Sequence, residues 1–339
     1  MTDRRKRVGI REVAAAAGVS RTTASDALNA VGRIDPGTRD RVVAAARELG
    51  YRANPHARRL RGARSGMIAI ASSVPGALRG KVAGLEYAMR VLMGAASRAM
   101  ASDSTVMLLP LEPDPDVAGL AQADGALLLD PVAASPLLAR LDELGIPSVS
   151  TGRIPDRPAD AGHWVDNDLH AATRSMLDLL WERGARRPAL LTGPPLHSYS
   201  VDTLRAYESW TAERGLPSRV AMTEAVTSEG AGFEAAASLL DAPEPPDGIY
   251  ATLDRLAAGA LLAARARGID VPAQLMLAAG SDSDATRAAT PAVTAVELHP
   301  QRIGELAVDL LLELVREPSL PSRQVIVEAE IVERGSTRR

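Results

Sequence analysis

Arg21, Thr22, Ser25 and Asp26 set four hydrogen-bonding side chains on one short segment, and Ser20 just before them offers an oxygen that can cap a helix. Behind them Ala24, Ala27 and Leu28 make a narrow apolar strip. A helix with this polar front presents donors and acceptors outward, as the edges of base pairs require. The residues ahead of it must position it. Ile10, Val13, Ala14 and Ala17 fall at i, i+3, i+4 and i+7 and predict a first helix with one apolar face. Gly18 ends that helix, because a left-handed cap carries no penalty at glycine. Two helices meeting at a tight glycine turn, the second polar in front, is the DNA-reading helix-turn-helix arrangement. An ordinary helical hairpin within an enzyme is the alternative at this point.

Charge favours the first reading. Residues 1–66 hold 15 Lys and Arg against 6 Asp and Glu, whereas the remainder holds 24 against 36. A small basic head on a large acidic body leaves only the head suited to phosphates. Other chemistries find little support. With no cysteine there is no disulfide, thiolate metal site or cysteine nucleophile, and a reducing compartment fits. His56, His163, His170, His197 and His299 show no metal-ligand spacing. No GxSxG, Walker A or GxGxxG motif occurs, so no enzyme activity and no cofactor is expected. The basic start lacks the apolar core of a signal peptide, and no run is apolar enough to span a bilayer. These readings predict a cytoplasmic protein.

Length and texture divide the chain further. Asp35-Pro36 predicts the cap and first residue of a third helix reaching Leu49, with Val42, Val43, Ala46 and Leu49 inward. Asn54-Pro55 opens a helix of about two turns, too short to be stable alone. It carries Arg58, Arg59, Leu60 and Arg61: arginines for phosphates, and a leucine able to wedge between base steps. A flexible linker with incidental charge reads equally well there. From Gly66 onward, short apolar runs alternate with helical stretches, the signature of open parallel sheets. A helix over 81–100 is expected to bury Val82, Leu85, Met89, Leu92, Met93, Ala96 and Met100. The last strand is expected at 324–331, and a helix at 202–214. Two successive α/β sets imply two lobes with a cleft between them, beyond the carboxyl ends of the strands.

IREVAAAAGVSRTTASDALN, TRDRVVAAARELGYRANPHARRL and their order before such a body resemble the LacI/GalR family of bacterial transcription regulators. Weaker echoes are Val165-Asp-Asn-Asp168, ERGARRPALLTG at 182–193 and Gly280-Ser-Asp282-Ser. The resemblance spans essentially the whole chain. It implies an α/β protein with an N-terminal helix-turn-helix domain and a two-lobed, periplasmic-binding-protein-like body of parallel sheets flanked by helices. The expected domains are 1–53 (head), 54–65 (hinge helix and linker), 66–165 with 297–321 (first lobe) and 166–296 with 322–335 (second lobe). It also implies a homodimer on a near-palindromic operator, with a small-molecule effector, a sugar or nucleobase, held between the lobes. No heptad tail follows residue 331 to build a tetramer. A solute-binding or carbohydrate-processing protein with a vestigial head is the other class; the basic head and hinge argue against it.

Carried over residue by residue, the resemblance makes Arg21 and Thr22 the base readers, with Ser20, Thr23 and Asn29 on phosphates or helix caps. Leu60 becomes the minor-groove wedge, with Ala57 and Arg58 on the same hinge helix. Three positions depart from the pattern. Asp26 stands where an arginine is common, and either reads a different base or pairs with a neighbouring arginine. Gly9 replaces a threonine cap. Thr203 stands where the effector-clamping arginine is usual, with Arg205 two residues on. The effector candidates are Ser73, Arg153, Tyr199, Asp202, Arg205, Asp254 and Asp282, at strand ends facing the cleft, each with a helix-cap or loop role as the alternative. Trp164 and Trp210 could stack on a ligand ring, but a large indole is more often core.

Overall fold

The computed structural model describes residues 9–28, 34–49, 51, 64–72, 86–110, 119–224 and 228–338. The chain forms two compact units, Met1–Ser65 and Gly66–Arg339. The expected hinge helix lies outside the described residues.

In the first unit, α1 (Ile10–Ala17), α2 (Arg21–Leu28) and α3 (Pro36–Glu48) enclose a small core of Val13, Ala14, Ala17, Ala24, Ala27, Val42, Ala45 and Ala46. Gly9 caps α1, and Glu12 reaches back to its amide at 2.9 Å. The carboxylate supplies the acceptor for an amide left free at a helix start, while Gly9 itself has no side chain with which to cap. Gly18 is left-handed (φ 65°) and stops α1. Asp35 caps α3, accepting from the Thr38 amide at 3.0 Å, with Pro36 at the first turn. Two expectations fail. Ser25 is buried on the inner side of α2, and Leu49 is exposed just beyond the end of α3.

The second unit contains two six-stranded sheets. The first takes β1 (Met67–Ser72), β2 (Thr105–Pro110), β3 (Gly125–Leu129), β4 (Ser148–Thr151), β5 (Trp164–Asn167) and β11 (Gln324–Val327) in the order β11-β5-β4-β3-β1-β2, all parallel. The second takes β6 (Pro188–Thr192), β7 (Val220–Met222), β8 (Gly248–Ala251), β9 (Met276–Ala279), β10 (Thr294–Glu297) and β12 (Glu330–Val332) in the order β12-β10-β9-β8-β6-β7, with only β12 antiparallel. Helices α4 (Glu86–Ala101), α5 (Pro136–Leu144) and α11 (Pro300–Arg316) belong to the first lobe. Helices α6 (Leu169–Glu182), α7 (Ser198–Glu213), α8 (Glu229–Leu240), α9 (Asp254–Ala266) and α10 (Asp284–Ala288) belong to the second.

Several boundaries move. The segment 324–331 is two strands: β11 and β12 lie in different sheets, because the chain crosses between lobes at Glu328-Ala329. Residues 324–327 therefore belong to the first lobe. The expected division at 165/166 cuts through β5, and the crossing comes after Asn167. Helix α7 starts at Ser198, ahead of the expected 202, its first turn closed by the Val201 amide on the His197 carbonyl. Helix α10, too short to show a clear period, was not expected.

In α4 the buried face is Val91, Leu92, Ala95 and Ala99, while Met89, Met93 and Met100 are exposed. The cause is the α4–α11 crossing. A Cβ on Gly94 would collide with the Gln301 backbone, and one on Gly304 with that of Val91, so the helices meet through these glycines. That contact turns the methionine stripe away from the core. Trp164 and Trp210 are core, their indole N–H groups donating to the Ala159 carbonyl and the Asp178 carboxylate.

Candidate DNA-reading helix and interlobe cleft

Ser20 accepts from the Thr23 amide at 3.0 Å and lies 2.8 Å from the Thr23 hydroxyl, so these two side chains build the cap that starts α2. This leaves Arg21 and Thr22 exposed at the start of the helix. That end carries the free amides and the positive end of the helix dipole, both suited to phosphate. Asp26 is half-buried and makes no ion pair among the described residues, so the expected pairing with a neighbouring arginine is not seen there. Asn29, Ala57, Arg58, Leu60 and Ser73 lie outside the described residues.

In the body, the end of β4 and the start of α7 bring Arg153 and Asp202 together, with Tyr199 about one turn before Asp202 on the same helix. Arg153 follows β4 in the first lobe, and Asp202 lies in the first turns of α7 in the second. The Arg153 guanidinium donates to both Asp202 oxygens, and both side chains are largely buried. The Arg153 amide donates to Asp166 at 3.3 Å, and the Ser198 hydroxyl approaches the same Asp166 oxygen at 3.5 Å. His197 Nδ1 lies 2.9 Å from the Asp130 carbonyl, and its ring stacks on Tyr199 with centroids 5.2 Å apart. Gly152 is left-handed (φ 80°), and a Cβ there would lie 3.0 Å from the Asp130 carboxylate and 3.1 Å from the Ser198 hydroxyl. Glycine thus allows the two lobes to approach at this point.

Asp130, Asp166 and His197 are cleft residues that sequence reasoning missed. The signal that points to Arg153, a polar residue directly after an apolar strand, is equally present at Asp130, which follows the GALLL run of β3. Asp166 sits inside β5, where a polar residue is read as the outward half of an alternation. Their environment is unusual. Burial, then the negative charge of Asp166, pushes the Asp130 carboxyl up to about 7. Burial raises Asp166 to about 6, although the amides of Asn167 and Arg153 pull the other way. Burial, then the charge of Asp130, raises Tyr199 to about 12, and burial lowers His197.

The remaining candidates stand apart from this group. Asp282 is engaged within its own lobe. Arg334 donates to both of its oxygens at 2.8 Å, Arg287 at 2.7 Å and the Thr286 hydroxyl at 2.5 Å. Burial raises the Asp282 carboxyl, but the hydrogen bonds from Arg334 and Thr286 outweigh it and hold the group at about 2. Asp254 is the first residue of α9, its amide bonded to the Ser281 hydroxyl at 3.2 Å. Arg205 is exposed on α7. Thr203 is buried, its hydroxyl 3.4 Å from that of Thr173 on α6, so the usual clamp position is packed into the core. Among the described residues, no group of His, Asp and Glu could hold a metal ion, and no helix is long and apolar enough to cross a membrane.

Comparison with known proteins agrees with this architecture. Residues 9–54 match the bacterial regulatory proteins of the lacI family, and residues 177–337 match the periplasmic binding protein-like domain. An uncharacterized HTH-type transcriptional regulator of Streptomyces limosus is 31% identical, over 96% of this chain and 93% of its own length. The HTH-type transcriptional regulator CelR of Thermobifida fusca is 28% identical over 98% of this chain and 99% of its own. A solved CelR–cellobiose complex superposes with a TM-score of 0.73, at 28% identity, over 97% of this chain and 100% of that one. The lac repressor dimer bound to operator and the anti-inducer ONPF superposes with a TM-score of 0.80, at 22% identity, over 98% and 99%. A basic three-helix head with an exposed polar start to α2, joined to two parallel-sheet lobes facing each other across a polar cleft, agrees with the lacI-family match of the head and with a relative 31% identical over nearly its whole length: the chain belongs to the LacI family of bacterial transcription regulators.

Proposed function

We propose that this regulator is a ligand-responsive repressor that binds a near-palindromic operator as a homodimer and takes a small-molecule effector between its lobes. The observation that carries this is the pairing of two sites on one chain: Arg21 and Thr22 exposed at the start of α2, and Arg153 after β4 paired with Asp202 of α7 across the lobes of the body, beside Tyr199. Arg21 forks onto guanine and Thr22 contacts a neighbouring base edge. Ser20, Thr23 and Asn29 hold α2 and reach phosphate. Ala57, Arg58 and Leu60 engage the minor groove. A regulator of this kind works in the cytoplasm, where its operator lies, and performs no catalysis.

The effector is a sugar or nucleobase-like molecule, and CelR's complex with cellobiose makes an oligosaccharide a natural first probe. It meets Arg153, Tyr199 and Asp202 together with the carboxylates of Asp130 and Asp166, which accept from hydroxyl or ring N–H groups. With Thr203 packed in the core, an arginine clamp from α7 is not part of the design. The exposed Met89, Met93 and Met100, with Leu108 of β2, form an apolar surface suited to a second copy.

The test is titration of the full chain onto a selected palindromic duplex at several salt concentrations. Affinity is expected to fall steeply as salt rises, because bound phosphates release counterions. No binding to any duplex at low salt refutes the regulator reading.

A further inference from the structure

Among the described residues, two ion-paired contacts join the lobes away from the strands that cross between them, in addition to Arg90–Glu297 at 3.7 Å beside one crossing. One is Arg153 on Asp202, with side-chain exposures of 19% and 17%. The other centres on Glu86, at the start of α4 in the first lobe. One Glu86 oxygen accepts from the Asp284 amide at 2.8 Å and the other from Arg287 at 3.2 Å, both on α10 of the second lobe. Arg287 is itself held by Asp282 and Asp284 at 2.7 and 2.8 Å, so it is aimed at Glu86 rather than free to swing.

We propose that these contacts are latches that set how far apart the lobes stand. The geometry supports a latch rather than a passive surface pair. Exposed ion pairs contribute little, because water screens them and two long side chains must be ordered. Here Arg153 and Asp202 are both largely withdrawn from solvent, and parting the lobes strips each charge of its partner. Glu86 binds a helix-start amide as well as a guanidinium, which adds a directional bond to the charge attraction. The Arg153 guanidinium is consumed by the protein's own carboxylate, so an effector that reaches it must displace Asp202 or bind with the pair intact as its lid. Glu86 does the same for Arg287, whose other bonds keep Asp282 engaged.

The inference rests on the cleft reading above for its functional consequence, but lobe separation tests it without DNA or effector. The chain has no cysteine. Ala139→Cys on α5 and Ala212→Cys on α7, both exposed, therefore place one label in each lobe. Distances are then read by double electron–electron resonance on the full chain. Arg153→Glu and Glu86→Gln should each lower the population at short separation by about two- to tenfold. Raising salt to molar levels should shift the parent the same way, since screening weakens the pairs. The charge swap, Arg153→Glu with Asp202→Arg, should restore the short-distance population. That rescue separates a latch from damage to the fold. Unchanged distances in both single variants and in high salt, or a swap that stays open, overturn the proposal. If the latches respond as expected but no duplex is bound, the regulator reading fails and the latch stands.

Discussion

At the level of single residues, the protein separates side chains that hold structure from side chains left for a partner. In α2, Ser20 and Thr23 close the cap while Arg21 is exposed. Arg21→Ala should therefore reduce discrimination among operator variants, by about 1–3 kcal/mol at one base pair, more than it reduces nonspecific affinity. Competition binding with single-base substitutions checks this; a uniform loss across sequences would make Arg21 a phosphate contact. In the cleft, Asp130 and Asp166 are two carboxylates that burial, aided by the charge of Asp166 at Asp130, keeps protonated to unusually high pH. An acid whose pKa is raised on folding binds more protons when folded. Its penalty is absent below about pH 4 and grows as pH rises through about 7. Asp130→Asn should leave the melting temperature unchanged near pH 4 and raise stability above pH 7 by roughly 1–3 kcal/mol. Thermal melts across that range decide it, and stabilisation confined to the acid side would reverse the assignment. Asp282 behaves in the opposite sense. Its lowered pKa means that its pairing with Arg334 stabilises above about pH 4 and is lost as pH falls towards 2.

At the level of elements, helix crossings are set by glycines, and the lobe crossings by one asparagine. Gly94 and Gly304 let α4 and α11 touch backbone to backbone. Gly94→Ala should destabilise by about 1–3 kcal/mol, measured by denaturant midpoint, since neither backbone can yield without repacking the first lobe. The sequence predicts a helix over 81–100, of which 86–100 is helical and 81–85 lies outside the described residues, but not which way it faces: methionines at helical spacing satisfy the same apolar period as a core stripe. Asn167 is buried at the end of β5, and its amide donates to the Val327 carbonyl at 2.8 Å and the Leu298 carbonyl at 3.2 Å. Those carbonyls lie at the other two places where the chain passes between lobes, so one side chain ties all three crossings. Asn167→Ala leaves two buried acceptors to find new donors, at a cost of about 1–3 kcal/mol. It should broaden the interlobe distance distribution. A distribution as narrow as the parent's would show that the strands alone hold the crossings.

At the level of the molecule, a basic reading head and an acidic, two-lobed body divide the work. If the effector changes operator affinity by some factor, the operator must change effector affinity by the same factor, typically about 5- to 150-fold. Measuring effector affinity with and without duplex tests this, and equal affinities would sever the coupling. Much of this organisation is written locally. The Gly18 turn, the Ser20 and Asp35 caps, the alternation of apolar runs with helices and the uneven charge are all short-range patterns. They were sufficient to specify the helix-turn-helix head and the two parallel-sheet lobes, and they pointed to Arg153, Tyr199 and Asp202 as cleft candidates. The tertiary structure alone decided what depends on long-range contact. It split 324–331 between two sheets, turned the α4 methionines outward, withdrew Asp282 into an ion-pair network and buried Thr203. It also brought Asp130 and Asp166 together across 36 positions of chain. Periodicity records only whether a residue has an apolar face to hide. Which partner hides it, and which charges then meet, follows from the packing of segments far apart in the sequence.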